Sequence, residues 1–348
     1  MTDGRSVVPL ATSPSEAAAA IGPEWKETVL RALQWMTLAR TLDARMQALQ
    51  RQGRVGFYGA ATGQEAVNIA AGLVSEPEDW VFPGLREQLI ALVRGHPLPT
   101  YLHHLFADDR DPARGRNMPC HPTARDVHYV SMSSVIGTQV SHAVGLAYAL
   151  RQKREAGLAF AFFGDGATSS NDFHAGLNFA GVMRVPVLFV CTNNQWAISV
   201  PVSRQTAARS LAGKSAAYGL RGETVDGTDF FAAYAALREA RTRVLSSSEP
   251  ELLEFRLFRM TPHSSSDDPR RYQPADWAET AARHDPVARL EAWAAREGLW
   301  TGPVRDEAVT RAEEAVRSAV HEAESTPPPA LASLTEDVYA SVGSSRRE

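Results

Sequence analysis

Two continuous apolar runs constrain this chain more than any other feature. LAFAFFG at 158–164 and PVLFVCTNN at 186–194 carry no polar alternation. A strand buried on both faces requires such a run, and sheets buried on both faces belong to α/β proteins. Between the runs, DGATSSND reads as a turn with helix-capping residues, and FHAGLNFAGVMR reads as a helix. Strand, helix and strand at this spacing form a βαβ unit, so the strands are parallel. The expected fold is α/β: an open, mostly parallel sheet flanked by helices, with helical extensions at both ends.

The rest of the chain fits around that unit. Val29, Leu33, Leu42, Met46 and Leu49 recur near helical spacing, and Gly53 is a plausible stop. A glycine-rich loop, GRVGFYGAATG, runs into a small-residue helix from about Gln64. Residues 79–95 read as a short strand, a turn and a helix; 107–128 read as a long polar loop, which in a compact domain is often functional. Thr138–Arg151 reads as a helix with a small-residue face, TVDGTDF as a strand end, 231–246 as a helix and 250–259 as another strand. Residues 286–322 read as mostly amphipathic helix, broken by the prolines at 327–329. Residues 1–22 are expected to be a disordered tail, 23–325 one α/β domain with helical extensions, and 326–348 a C-terminal tail. The balance of 36 Lys+Arg against 40 Asp+Glu gives no basic footprint for nucleic acid. No apolar run reaches membrane-spanning length, so no membrane partner is expected. Two cysteines, Cys120 and Cys191, are too few for a disulfide framework, and with no leader pattern at the start they suggest a cytoplasmic protein.

The chemistry gathers where the two apolar runs end. Gly164-Asp165-Gly166 closes the first, and Asn193-Asn194 closes the second. Carboxyl ends of parallel strands line the ligand crevice, so Asp165 and Asn194 meet at one rim. A carboxylate beside an amide oxygen suits Mg²⁺, which takes oxygen ligands and keeps substrate phosphates in its shell. Glycines flanking Asp165 let a phosphate approach the backbone, and the following helix offers its N-terminus. A lone GDG occurs in many turns. The same triplet after one buried strand, with Asn-Asn 26 residues on after another, is a much stronger signal for a Mg²⁺-diphosphate site.

GDG-x26-NN resembles the thiamine-diphosphate (ThDP) binding motif. The blocks GRVGFYGAATGQEA, FPGLREQ, GRNMPCH, SSVIGTQVSHAVGLAYA, NNQWAIS and PHSSSDDPRRY resemble the α subunit of the decarboxylating component of 2-oxo acid dehydrogenase complexes. The paired Ser-Ser-Asp-Asp after His263, with Tyr272 beyond, leans toward the branched-chain (2-oxoisovalerate) type. The resemblance runs from about residue 25 to 325. It implies that Asp165, Asn194 and the carbonyl of Trp196 bind Mg²⁺. It implies that Gly164, Gly166 and Ala167 lie at the diphosphate, with Arg86 and Arg259 neutralising it; the rigid guanidinium fork matches phosphate oxygens. Ile136 takes the place of an aliphatic wedge under the bent cofactor, and Ser133, Thr138 and Gln139 match a structural K⁺ site. His263 is the implied catalytic residue, facing thiazolium and substrate. Ser264 and Ser266 match positions phosphorylated in some relatives.

The same resemblance implies oxidative decarboxylation of 3-methyl-2-oxobutanoate and related 2-oxo acids, with the acyl group passed to a lipoyl arm of an acyltransferase component. The glutamate that activates the cofactor comes from a separate β subunit, so an α2β2 assembly is expected. Glu65 and Glu87 lie in stretches matched to α-subunit loops. Two departures stand out: Leu85 where many members have a diphosphate-binding tyrosine, and Thr192 where some have an arginine. Gln195-Trp196 replaces a common Gly-Tyr. Pyruvate or acetoin as substrate, and a non-catalytic partner-binding paralogue, stay as alternatives. A nicotinamide-binding Rossmann enzyme is disfavoured because no G-x-G-x-x-G follows an early strand.

Overall fold

The apolar runs become the centre of a five-stranded parallel sheet. The computed structural model describes residues 7–264 and 266–336. In chain order the elements are α1 (Pro14–Ile21), α2 (Trp25–Arg51), α3 (Glu65–Val74), β1 (Trp80–Phe82), α4 (Gln88–Val93), α5 (Leu98–Phe106) and α6 (Thr138–Lys153). Then come β2 (Ala159–Gly164), α7 (Asn171–Met183), β3 (Val187–Asn193), β4 (Trp196–Ala197), β5 (Val200–Pro201), β6 (Arg221–Asp226), α8 (Phe230–Ser247) and β7 (Glu251–Arg256). Helices α9 (Trp277–Arg283), α10 (Pro286–Arg296) and α11 (Gly302–Ser325) complete the described chain.

The sheet order is β1-β2-β3-β7-β6, and every pairing in it is parallel. Strands β4 and β5 pair antiparallel, as a small separate hairpin. Side chains alternate between two cores, as strand pleating dictates. Phe160, Phe162, Leu188, Val190, Leu253 and Phe255 point into one, against α1, α2, α3, α8 and α10. Ala161, Phe163, Val187, Phe189 and Cys191 point into the other, against α6 and α7. The β2-α7-β3 and β6-α8-β7 crossovers run in opposite directions along the sheet, so right-handed connections put α7 and α8 on opposite faces. A third core lies away from the sheet, where the second half of α2 packs on α5 and α11.

Several expectations need correction. The stretch expected as a disordered tail is ordered from residue 7. Ser13 and Glu16 form a capping box that starts α1, and Pro14 sits in its first turn. Leu10, Ala17 and Ile21 are buried. The Trp293 indole donates to the Thr12 carbonyl at 2.6 Å, and Arg296 donates to the Leu10 carbonyl. Residues 1–6 lie outside the described chain. At the other end, 327–336 pack on the 107–116 loop: the Asp109 amide donates to the Pro327 carbonyl, and Arg116 donates to the Ser333 and Glu336 carbonyls. Residues 337–348 lie outside the described chain. Residues 286–322, read as mostly amphipathic helix, are helical as α10 and α11, separated near Gly298 at φ 69°. Within the glycine-rich loop, Val55, Tyr58 and Gly59 are buried, while Gly53, Arg54 and Gly56 are exposed.

Candidate active site

Register brings the two rim motifs together. Gly164 pairs with Thr192 across the β2–β3 ladder, so Asp165 and Asn194 emerge side by side just past the strand ends. A cavity of about 470 Å³ opens there. Its wall includes Arg86, Ile136, Gly164, Asp165, Gly166, Ala167, Asn194, Trp196 and His263, together with Ser133 and Gln139. That size falls in the range of small-molecule sites.

The oxygens at the rim are held by N–H donors. Asp165 is 2% exposed, and its Oδ2 accepts from Gln205 Nε2 at 2.8 Å. Burial pushes its carboxyl up, opposed by Gln205, by the amides of Asp165 and Asn194, and by the Arg259 charge. Asn194 Oδ1 accepts from the Trp196 amide at 3.2 Å, and the Trp196 carbonyl accepts from Arg259 at 3.3 Å. Behind them, Asn193 Nδ2 donates to the buried Glu254 at 2.7 Å, and Asn193 Oδ1 accepts from the Gln195 amide. Gln195 takes φ 74°, a conformation that suits glycine. Its side chain donates to the Leu257 carbonyl at 2.9 Å, which offsets the strain and explains how glutamine serves here.

Gly166 is required by close approach. A Cβ there would lie 2.6 Å from the Ala197 Cβ, which draws the β4–β5 hairpin against the GDG turn. Ile136 is 62% exposed on the cavity wall, and the adjacent Gly137, at φ 93°, fits where a Cβ would strike Ser170. Ser170 also caps α7.

The two arginines do different things. Arg86 lies on the wall and donates to the carbonyls of Ala60 and His263. Burial and the nearby Arg259 lower its guanidinium to about 10, still cationic at neutral pH. Arg259, expected at the diphosphate, lies behind the wall; it is 1% exposed and reaches the site through the Trp196 carbonyl and the Tyr272 hydroxyl. Thr138 also lies off the wall, in the first turn of α6. Leu85 lines the cavity and packs on Gly59. Thr192 donates its hydroxyl toward Glu87 Oε1 at 3.2 Å. Ser264 borders a smaller neighbouring cavity with Arg51 and Tyr58, and Ser266 is exposed.

The His263 amide donates to Asp267 Oδ2 at 2.7 Å, and Tyr272 donates to the same oxygen. Burial, then Arg86 and Arg259, drive its imidazole down to about 4, so it is neutral at physiological pH. A neutral imidazole can accept or donate one proton without carrying charge into an already cationic site.

Glu87, Gln64 and the His121–Ser134 pair on this wall, and Gln205 against Asp165, were given no site role by the sequence. Glu87 is 2% exposed, held by the Arg86 amide and Thr192, with its carboxyl pushed up by burial. His121 bonds Ser134 through Nε2 and the Pro119 carbonyl through Nδ1, so its Nδ1 carries the proton. Gln64 Oε1, Gln139 Oε1 and Trp196 Nε1 are buried with no protein partner. Buried polar atoms are normally paired. Unpaired ones around a cavity are what a polar ligand would satisfy.

A parallel α/β domain with hard oxygen donors and a buried arginine at the carboxyl rim is the architecture of an enzyme acting on anionic ligands. The chain belongs to the dehydrogenase E1 component family, whose sequence pattern matches residues 33–332. That family is ThDP-dependent. The chain is 37% identical over 326 residues to the 2-oxoisovalerate dehydrogenase subunit alpha 2, mitochondrial, of Arabidopsis thaliana, covering 93% of this chain and 69% of that protein. It is 34% identical over 315 residues to the mitochondrial 2-oxoisovalerate dehydrogenase subunit alpha of Mus musculus, covering 90% and 71%. It is 36% identical over 314 residues to the pyruvate dehydrogenase E1 component subunit alpha of Staphylococcus aureus, covering 90% and 82%. Each relative is the α subunit of a larger enzyme.

Proposed function

We propose that this chain is the α subunit of a 2-oxo acid dehydrogenase of the branched-chain type, acting on 3-methyl-2-oxobutanoate and similar acids. The observation that supports this reading is that Asp165, Asn194 and Trp196 line one cavity with Arg86 and His263. A carboxylate and two neutral oxygens match the oxygen preference of Mg²⁺. The close Gly166–Ala197 approach and the unpaired Gln139 oxygen fit a ligand bound against backbone. Asp165, Asn194 and Trp196 would hold Mg²⁺ against the diphosphate of ThDP, with Arg86 adding positive charge. Gln139 and Ser133 are the groups that would take K⁺.

ThDP, when bound, supplies a nucleophilic carbon and an electron sink for decarboxylation. The chain's own part is to anchor the diphosphate end, exclude water and move a proton. His263 is neutral and can donate at the reacting end of the cavity. Apolar Leu85, Phe57 and Met118 wall the rest of the pocket and suit an aliphatic acyl group. The activating carboxylate would come from a β subunit in an α2β2 enzyme, and a lipoyl-bearing acyltransferase would receive the acyl group.

Pyruvate is the second reading, favoured by the similarity to a pyruvate dehydrogenase α subunit at 36%. The test is dye-coupled decarboxylation by the chain assembled with its β partner. Branched 2-oxo acids should exceed pyruvate in kcat/KM by about 10–200-fold, the value of a methylene in an apolar pocket. A preference for pyruvate would overturn the substrate assignment and leave the family intact.

A further inference from the structure

The hydrogen bond on Asp165 limits how that carboxylate can meet a metal. Gln205 follows the short turn after β5 and is fixed there by its own amide, which donates to the Val202 carbonyl at 2.9 Å. Its Nε2 lies 2.8 Å from Asp165 Oδ2 and 3.1 Å from the Val200 carbonyl. Both neighbours only accept, so the amide nitrogen must face them. One oxygen of Asp165 is therefore engaged before any ion arrives. The other carboxylate on the wall, Glu87, is taken up by Thr192 and the Arg86 amide.

We propose that Gln205 is a positioning residue that leaves Asp165 one oxygen for the metal and so sets the site for Mg²⁺ over Ca²⁺. This rests on the ThDP–metal reading of the same site. Mg²⁺ takes near-octahedral single oxygens, whereas Ca²⁺ takes six to eight and often draws both oxygens of a carboxylate. Holding Oδ2 with an amide N–H opposes two-oxygen binding and penalises Ca²⁺ selectively. Groups that hydrogen-bond a metal ligand commonly contribute about 10–100-fold to metal affinity.

The test is calorimetry of ThDP binding to the chain assembled with its β partner, with Mg²⁺ or Ca²⁺ as the sole divalent ion. Wild type should bind ThDP about tenfold or more tightly with Mg²⁺ than with Ca²⁺. Gln205→Met keeps the length and removes the donors; its two affinities should converge, with Mg²⁺ losing more than Ca²⁺. An unchanged Mg²⁺/Ca²⁺ ratio in Gln205→Met overturns the proposal. Equal wild-type affinities overturn it without any variant, so it stands or falls even if Gln205→Met does not fold. If wild type and Asp165→Ala bind ThDP alike with either ion, the metal reading itself fails and takes the proposal with it.

Discussion

Arg86 donates a hydrogen bond to the carbonyl of His263 at 2.7 Å. The contact ties the α3–α4 region to the loop after β7 and puts a guanidinium beside the imidazole. Burial and this charge, with Arg259 behind it, lower the His263 imidazole from an ordinary 6.5 to about 4.

His263 should therefore titrate near pH 4 by NMR of its ring proton. Because the folded form resists protonation, the unfolded chain binds the extra proton as pH falls from 6.5 to about 4. This group's contribution to stability is complete above 6.5 and declines through that window. A ring signal that titrates at 6.5 would contradict the electrostatic account. His263→Ala should keep ThDP binding and lose about 10²–10⁴-fold in acyl transfer.

Asp165→Ala should abolish Mg²⁺-dependent ThDP binding. Among the described residues the other wall carboxylate, Glu87, is already held at both oxygens by Thr192 and the Arg86 amide. Calorimetry on the assembled enzyme reads this directly, and unchanged affinity would remove Asp165 from the site.

Gly166→Ala should push the β4–β5 hairpin away from the GDG turn, because its Cβ would sit 2.6 Å from the Ala197 Cβ. Overpacking of this kind costs about 1–3 kcal/mol. Thermal denaturation should show the loss, and Ala197→Gly in the same chain should recover most of it. Failure of the second change to rescue would mean the strain lies elsewhere.

The βαβ unit and its rim were legible because 158–164 and 186–194 are apolar throughout, and only doubly buried strands need that. The N-terminal helix was read as part of a disordered tail, because the alanine-rich surroundings of Ser13-Pro14-Ser15-Glu16 hid its capping box. Gln205 was not legible. It lies 40 residues from Asp165 in a polar loop with no periodicity, and only the folded hairpin brings it near. That Arg259 bonds the Trp196 carbonyl from behind the wall was not legible either, because sequence marks the strand end and not which side of Trp196 the guanidinium takes. Glu87 was set aside because it lies in a stretch matched to an α-subunit loop.

The central claim is that this chain anchors a cofactor whose activation another subunit completes. Asp165, Asn194 and Arg86 can hold a diphosphate, but among the described residues the wall offers only Glu87 as a further carboxyl, already bonded by Thr192 and the Arg86 amide. The most direct measurement is decarboxylation of 3-methyl-2-oxobutanoate with ThDP and Mg²⁺, by the purified chain alone and after adding its β partner. The account predicts no turnover from the lone chain and restored turnover at equimolar partner. Full activity from the lone chain would contradict it.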